Sequence, residues 1–197
     1  MSPVWNFITD FGDSAVTAPL ALLVSAFLFF AGHRRLAFGW VLGIGGCAVV
    51  IGVLKIVFGA CGHELTGIQL ISPSGHTAMS TAVYGSLTLL IVVRLPSSQR
   101  RILGVAAALA IIGIALSRVA LHDHSSSEIV LGFLVGAGAV AVFHAMLSRA
   151  AAPALPLGWL LLSGGVLVAV LHGTRWMIEP AVHRLAWDFR LSLPFCR

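Results

Sequence analysis

Six apolar stretches joined by short polar connections make up most of the chain, at residues 15–31, 36–58, 77–93, 102–121, 129–147 and 157–171. Crossing the hydrocarbon of a bilayer takes about 20 helical residues, with a range of about 17–25. The second and fourth stretches meet this length comfortably, the first and third lie at its short limit, and the sixth reaches it only by extending to Trp176. Each is expected to be a helix, because backbone exposed to lipid must satisfy its own hydrogen bonds. Hydrophobic residues form 58% of the 197 and charged residues 10%, against roughly a quarter charged in soluble domains. Such a composition cannot cover a surface facing water, and it equally excludes disorder, a secreted disulfide scaffold and a coiled coil. The expected fold is all-α, a polytopic membrane bundle of about six transmembrane helices. One membrane-embedded domain spans residues 1–197, with residues 173–197 as a candidate interfacial tail.

The formal charge of +5 does not point to nucleic acid. The basic residues are nearly all Arg, held in small groups between apolar stretches, with no basic stripe interleaved with aromatics. Arg34-Arg35, the group Arg94, Arg100 and Arg101, and Arg149 follow the first, third and fifth stretches. The positive-inside rule makes these connections cytoplasmic and the other two external. The tail is then external too, although it carries Arg175, Arg184, Arg190 and Arg197. Its Trp176, Trp187, Phe189 and Phe195 fit an interfacial position.

The N-terminus has acidic Asp10 and Asp13 and no basic region before the first apolar stretch, which is unlike a cleaved signal peptide. Residues 3–11 carry Trp5, Phe7, Ile8 and Phe11 and are expected to lie in the interface. Cys47, Cys61 and Cys196 lack metal-type spacing, and an odd number excludes a full disulfide framework. Cys47, in an apolar run, reads as a small core residue.

Most of the chemistry gathers in the two external connections. The first, at residues 59–75, follows Lys55, the only lysine; the second runs over about residues 121–127. With their flanks they hold Lys55, His63, Glu64, His76, Arg118, His122, Asp123, His124 and Glu128. Ionisable groups near membrane depth are costly and usually functional.

In Pro73-Ser74-Gly75-His76, Ser72 or Ser74 can cap the third helix, and Pro73 suits its first position. A helix N-terminus offers free N–H groups to an anion. Gly75 permits close approach to the backbone, and His76 can donate a proton; an ordinary N-cap with an incidental histidine accounts for the tetrapeptide equally well. The second cluster changes the balance. Arg118 has the planar fork that suits phosphate oxygens. His124 and Glu128, four residues apart, share a helix face, where a carboxylate can fix the imidazole tautomer. Ser125-Ser126-Ser127-Glu128 also has the form of a capping box.

These residues resemble the phosphatidic acid phosphatase type 2 (PAP2) superfamily, whose motifs read KxxxxxxRP, PSGH and SRxxxxxHxxxD. Residues 73–76 match the second motif in full. Ser117, Arg118 and His124 match the third, with Glu128 at the aspartate position and Gly132 in the usual continuation. Lys55 matches the first, but Gly62-His63 stands where Arg-Pro is expected. The resemblance is strongest over residues 55–132.

The resemblance implies that His124 is the nucleophile, forming a phosphohistidine, and that Glu128 orients it. His76 would protonate the leaving alkoxide and then activate water. Lys55, Ser74, Gly75 and Arg118 would hold the phosphate oxygens, with His63 as a further candidate contact. No cofactor or metal is implied. The expected activity is metal-independent hydrolysis of a lipid phosphate monoester or pyrophosphate in a bacterial inner membrane, with the site on the periplasmic face. Its partners are the lipid substrate and the bilayer. Three alternatives stay open: phosphotransfer to another lipid, a metal-dependent hydrolase using His63, His76, His122 and His124, and a non-catalytic lipid-phosphate binder. His33, His144, His172 and His183 have no partner pattern. Gly43, Gly45, Gly46, Gly132, Gly136, Gly138, Gly164 and Gly165 are expected to let helices pack closely.

Overall fold

A computed structural model describes residues 3–66, 72–150, 153–176 and 179–192. The described residues form eight helices: α1 (Pro3–Asp10), α2 (Ser14–Phe30), α3 (Arg34–Thr66), α4 (Gly75–Val92), α5 (Ser97–Ala120), α6 (Ser126–Leu147), α7 (Leu157–Leu171) and α8 (Glu179–Ser192). The all-α expectation holds. By length and apolar composition, four segments suffice to cross a bilayer: Pro3–Phe30, Arg34–Cys61, Ser97–Ala120 and Ser126–Leu147. The apolar α7 has only 15 residues. A count of six spans is therefore not established by helix length.

Local chemistry explains the helix ends. Asp13 caps α2 by accepting the Ala15 N–H. Gly32 follows α2 at φ +83, a left-handed position that glycine occupies without strain. There the His33 N–H returns to the Leu28 carbonyl at 2.9 Å. One boundary differs from expectation. Residues 59–66, read as the start of a loop, continue α3 as helix. No proline falls in that stretch, so nothing there removes a backbone donor or forces a break.

Helix α6 is the central element, packed against both α3 and α4; α2 adds to α3, and α7 lies on α2. The core centres on Trp40 and Phe143, stacked edge to face at 5.3 Å. Trp40 is buried, and its Nε1–H donates to the Ala21 carbonyl at 2.9 Å, joining α3 to α2. Cys47 is a free, buried core residue, as expected. Outside this core, large apolar side chains such as Leu22, Phe30, Ile102 and Val170 are at least 70% exposed. That surface suits lipid.

Glycines decide how closely α6 approaches α4. A Cβ on Gly132 would meet the Ser74 carbonyl oxygen at 2.5 Å, and one on Gly136 the Ala78 oxygen at 2.5 Å. Gly43 similarly faces the Ala139 carbonyl, and Gly164 faces Leu20. Gly45, Gly46, Gly138 and Gly165 have open space around them, so the close-packing expectation fails at those four. The N-terminal stretch forms α1, which packs against α5, and α8 packs against α3.

Candidate active site

The head of α4 is the floor of the site. Ser74 is the N-cap, accepting the Thr77 N–H at 3.4 Å and the Thr77 hydroxyl at 3.0 Å. Pro73 therefore precedes the cap instead of occupying the first helical position, which belongs to Gly75. By helix geometry the N–H groups of Gly75 and His76 have no carbonyl within the helix to bond. Lys55, 8% exposed, reaches this point from α3. A Cβ added to Gly75 would lie 3.4 Å from Lys55 Cε and 3.8 Å from its Nζ.

The opposite wall comes from the junction of α5 and α6. The Arg118 carbonyl accepts the N–H of Asp123 at 3.0 Å and of His124 at 3.2 Å. The chain reverses through His122 in a left-handed conformation, φ 59. The spacing from Arg118 to His124 is thus that of a helix C-terminus folding back on itself. The Arg118 guanidinium donates to Thr9 Oγ1 of α1 at 3.0 Å and pairs with Asp123 at 3.1 Å. Asp123 consequently faces Arg118 and does not serve His124.

Glu128 fulfils both tasks that its sequence context allows. Its Oε2 accepts the Ser125 N–H at 3.0 Å, while Ser125 Oγ accepts the Glu128 N–H, completing a capping box. The same oxygen lies 3.1 Å from His124 Nδ1. A carboxylate can only accept here, so Nδ1 carries the proton and Nε2 keeps its lone pair. The second oxygen, Oε1, accepts the Ser72 N–H at 2.7 Å, and the Glu128 carbonyl accepts the Ser74 N–H at 3.1 Å. One residue therefore ties the turn of the third motif to the loop of the second.

Burial lowers the pKa of His124 from its ordinary 6.5, opposed by the hydrogen bond to Glu128 and reinforced by the charges of Arg118 and Lys55. Burial thus favours the neutral imidazole. Burial also lowers the pKa of His76 from its ordinary 6.5, reinforced by the charges of Arg118 and Lys55 and opposed by Asp13. Lys55, Ser74, Gly75, His76, Arg118, His124 and Glu128 are thereby gathered at one end of the bundle. His63 lies in the last turn of α3, and its side chain is outside the described residues, as is that of Glu64. Among the described residues no three His, Cys, Asp or Glu side chains converge closely enough to hold a metal ion.

Sequence reasoning missed Thr9 and the contacts of two residues it named for other reasons, Ser72 as a possible cap and Asp13 as an N-terminal acidic residue. Thr9 touches Arg118, Ser72 touches Glu128, and Asp13 Oδ2 stands 3.5 Å from His76 Nε2. Asp13, just ahead of the first apolar stretch, carried an N-cap signal. Its meeting with His76 is a tertiary contact with no local signature.

An uncharacterized 22.5 kDa protein in the cps region of Klebsiella pneumoniae is 28% identical over 169 residues, which cover 85% of this chain and 79% of that protein. No solved structure matches. The family model of the PAP2 superfamily matches residues 36–152, a stretch that contains Lys55, the Ser74–His76 floor and the whole Arg118–Glu128 wall. With more than half of its length covered and its motif residues assembled at one end of an apolar bundle, the chain belongs to the PAP2 superfamily, whose members support phosphatase-type activity.

Proposed function

We propose that this protein is a membrane lipid phosphatase that cleaves a phosphate monoester or pyrophosphate through a phosphohistidine on His124, without a metal. The observation carrying this reading is the hydrogen bond from His124 Nδ1 to Glu128 in a site that also gathers Lys55, Arg118 and the head of α4. It leaves Nε2 to attack phosphorus. Lys55, Arg118 and the N–H groups of Gly75 and His76 meet the charge on the phosphate oxygens, and this electrostatic clamp is most of what phosphoryl transfer requires.

As the Nε2–P bond forms, the bond from phosphorus to the leaving oxygen breaks, and protonated His76 gives its proton to that oxygen. Neutral His76 then takes a proton from water. The water oxygen bonds phosphorus, the P–N bond breaks, and inorganic phosphate and free His124 are released.

A lipid substrate fits an apolar groove of about 590 Å³ between α2, α4 and α7, lined by Phe7, Phe11, Val24, Tyr84 and Leu161 among others. Phe11 belongs to the turn whose Gly12 packs against His76, which places the groove beside the turn that borders the site. A periplasmic position for the site is favoured by the Arg groups at the opposite helix ends. It is also favoured by Cys61 in the outer part of α3, which is disulfide-bonded, since disulfides persist in oxidising compartments.

Detergent-purified protein should release phosphate from a panel of lipid phosphates with chelator present. His124→Ala should abolish turnover and acid-labile phosphoenzyme alike. Full activity in that variant refutes the mechanism. Loss of activity on chelation favours a metal-dependent hydrolase instead.

A further inference from the structure

Helix α1 and the turn after it lie outside the stretch that matches the family, yet they form one side of the site. Thr9 meets Arg118. Gly12 lies flat against His76: a Cβ there would stand 3.3 Å from His76 Cβ, 3.4 Å from its Cδ2 and 2.6 Å from Ile114 Cγ2. Tyr84, two turns below His76 on α4, donates its hydroxyl to the Phe11 carbonyl at 2.6 Å and anchors the turn. Asp13 is buried, with its side chain 7% exposed. Its Oδ1 is held by two backbone donors, Ala15 N–H at 2.8 Å and Trp176 N–H at 3.3 Å. The rotamer is thereby fixed, and Oδ2 is directed at His76 Nε2, 3.5 Å away.

We propose that Asp13 is a positioning residue for His76, holding its ring and stabilising its protonated form so that Nδ1–H faces the leaving oxygen. This rests on the phosphatase reading above. The site then contains two His–carboxylate pairs with opposite tasks. Glu128 accepts the hydrogen bond of His124 Nδ1–H and leaves a nucleophilic Nε2; Asp13 faces Nε2–H of His76 as an acceptor and leaves an acidic Nδ1–H. Asp13 itself exchanges no proton: the proton delivered to the leaving oxygen comes from His76, and the one regained comes from water. The charged groups acting on His76 are Asp13 from the α1–α2 turn, Lys55 from α3 and Arg118 from α5. Asp13 is the negative member of this set and offsets the two cations.

The test is Asp13→Asn in the full-length detergent-purified protein, since Asn keeps a good N-cap while removing the charge. With phosphatidic acid, whose alkoxide leaving group needs a proton, kcat should fall about 10–100-fold with little change in KM. With an aryl phosphate, whose leaving group needs little protonation, kcat should stay within about threefold. The basic limb of the kcat profile should move about one pH unit toward acid. The His76 resonance, assigned with His76→Gln, should titrate correspondingly lower in Asp13→Asn. An unchanged profile and titration overturn the proposal, as does equal loss on both substrates. A wild type inactive on every substrate overturns the phosphatase reading, and the His76 titration still decides the Asp13 pairing.

Discussion

Replacing Glu128 by Gln changes one atom and should disable the site while leaving the fold in place. The buried carboxylate accepts hydrogen bonds from Ser72 N–H, Ser125 N–H and His124 Nδ1–H. Gln has one accepting oxygen and one donating NH₂. If the oxygen stays on Ser125 and His124, the NH₂ opposes the Ser72 N–H, and a charge-assisted bond worth about 1.5–3 kcal/mol is lost. If the amide flips, Ser72 is served but the NH₂ donates to His124 Nδ1. The proton then moves to Nε2, and the attacking lone pair disappears. In the first orientation the imidazole also loses the negative charge that stabilises positive charge developing on it during attack. The Ser72 bond is made in ground and transition states alike, so its loss costs stability, and kcat falls in the first orientation only through the lost negative charge, by about tenfold. The flipped tautomer costs more, on the order of 10²–10⁴ in total, the scale seen when a triad carboxylate is neutralised. KM should change little, because Lys55, Arg118 and the α4 N-terminus are untouched. Glu128→Asp keeps the charge but is one methylene too short to span Ser72 and His124 together, so it should lose the Ser72 bond and about tenfold or less in kcat. The assay is phosphate release from lipid phosphate in detergent, paired with a thermal midpoint to show that both variants fold. A Glu128→Gln enzyme within threefold of wild type would refute the tautomer argument.

Because burial lowers the pKa of His124, its neutral form should persist below pH 6.5, and kcat/KM should be lost only as pH falls through that lowered value. After correction for substrate ionisation, an acid limb above 6.5 would contradict this. Gly132→Ala places a methyl group 2.5 Å from the Ser74 carbonyl, so it should lower stability by about 1–3 kcal/mol and displace the α4 N-cap. Gly138→Ala, in open space, should be close to neutral in a thermal melt. Asp123 is 42% exposed and paired with Arg118; if Arg118 holds the substrate phosphate as proposed, Asp123→Asn should lower KM by a few fold, less so at high salt, and a raised KM would show that Asp123 positions Arg118 instead.

The sequence exposed the helices more readily than their faces. Apolar length marks a helix in lipid, but lipid and protein core are equally apolar, so hydropathy cannot say which side of a helix packs inward. Gly43, Gly132 and Gly136 meet neighbouring helices whereas Gly45, Gly46 and Gly138 do not, and nothing local in the sequence separates them. The extension of α3 to Thr66 was hidden by the polar residues near its end, which read as loop in a chain where helix and apolar stretch otherwise coincide. The site was legible where its geometry is local. The Ser74 cap, the Ser125–Glu128 capping box and the His124–Glu128 pair all lie within four residues. The contacts of Thr9 with Arg118 and of Ser72 with Glu128 bridge 109 and 56 positions, and only the packing of the bundle brings them together.

The distribution of sign within the site follows from the cost of burying charge. An ion taken from water into an apolar bundle costs several kcal/mol unless it is paired or hydrogen-bonded, so each carboxylate here must have donors. Asp13 and Glu128 obtain theirs from backbone N–H groups and from imidazoles. Arg118 pairs with Asp123 at the exposed rim, where water can solvate the aspartate. Two buried carboxylates thus stand behind the histidines, and the more exposed Asp123 stands on the arginine. Glu128 faces Nδ1 of His124 whereas Asp13 faces Nε2 of His76, so under the proposed mechanism the one pairing suits a ring that attacks through Nε2 and the other a ring that donates from Nδ1.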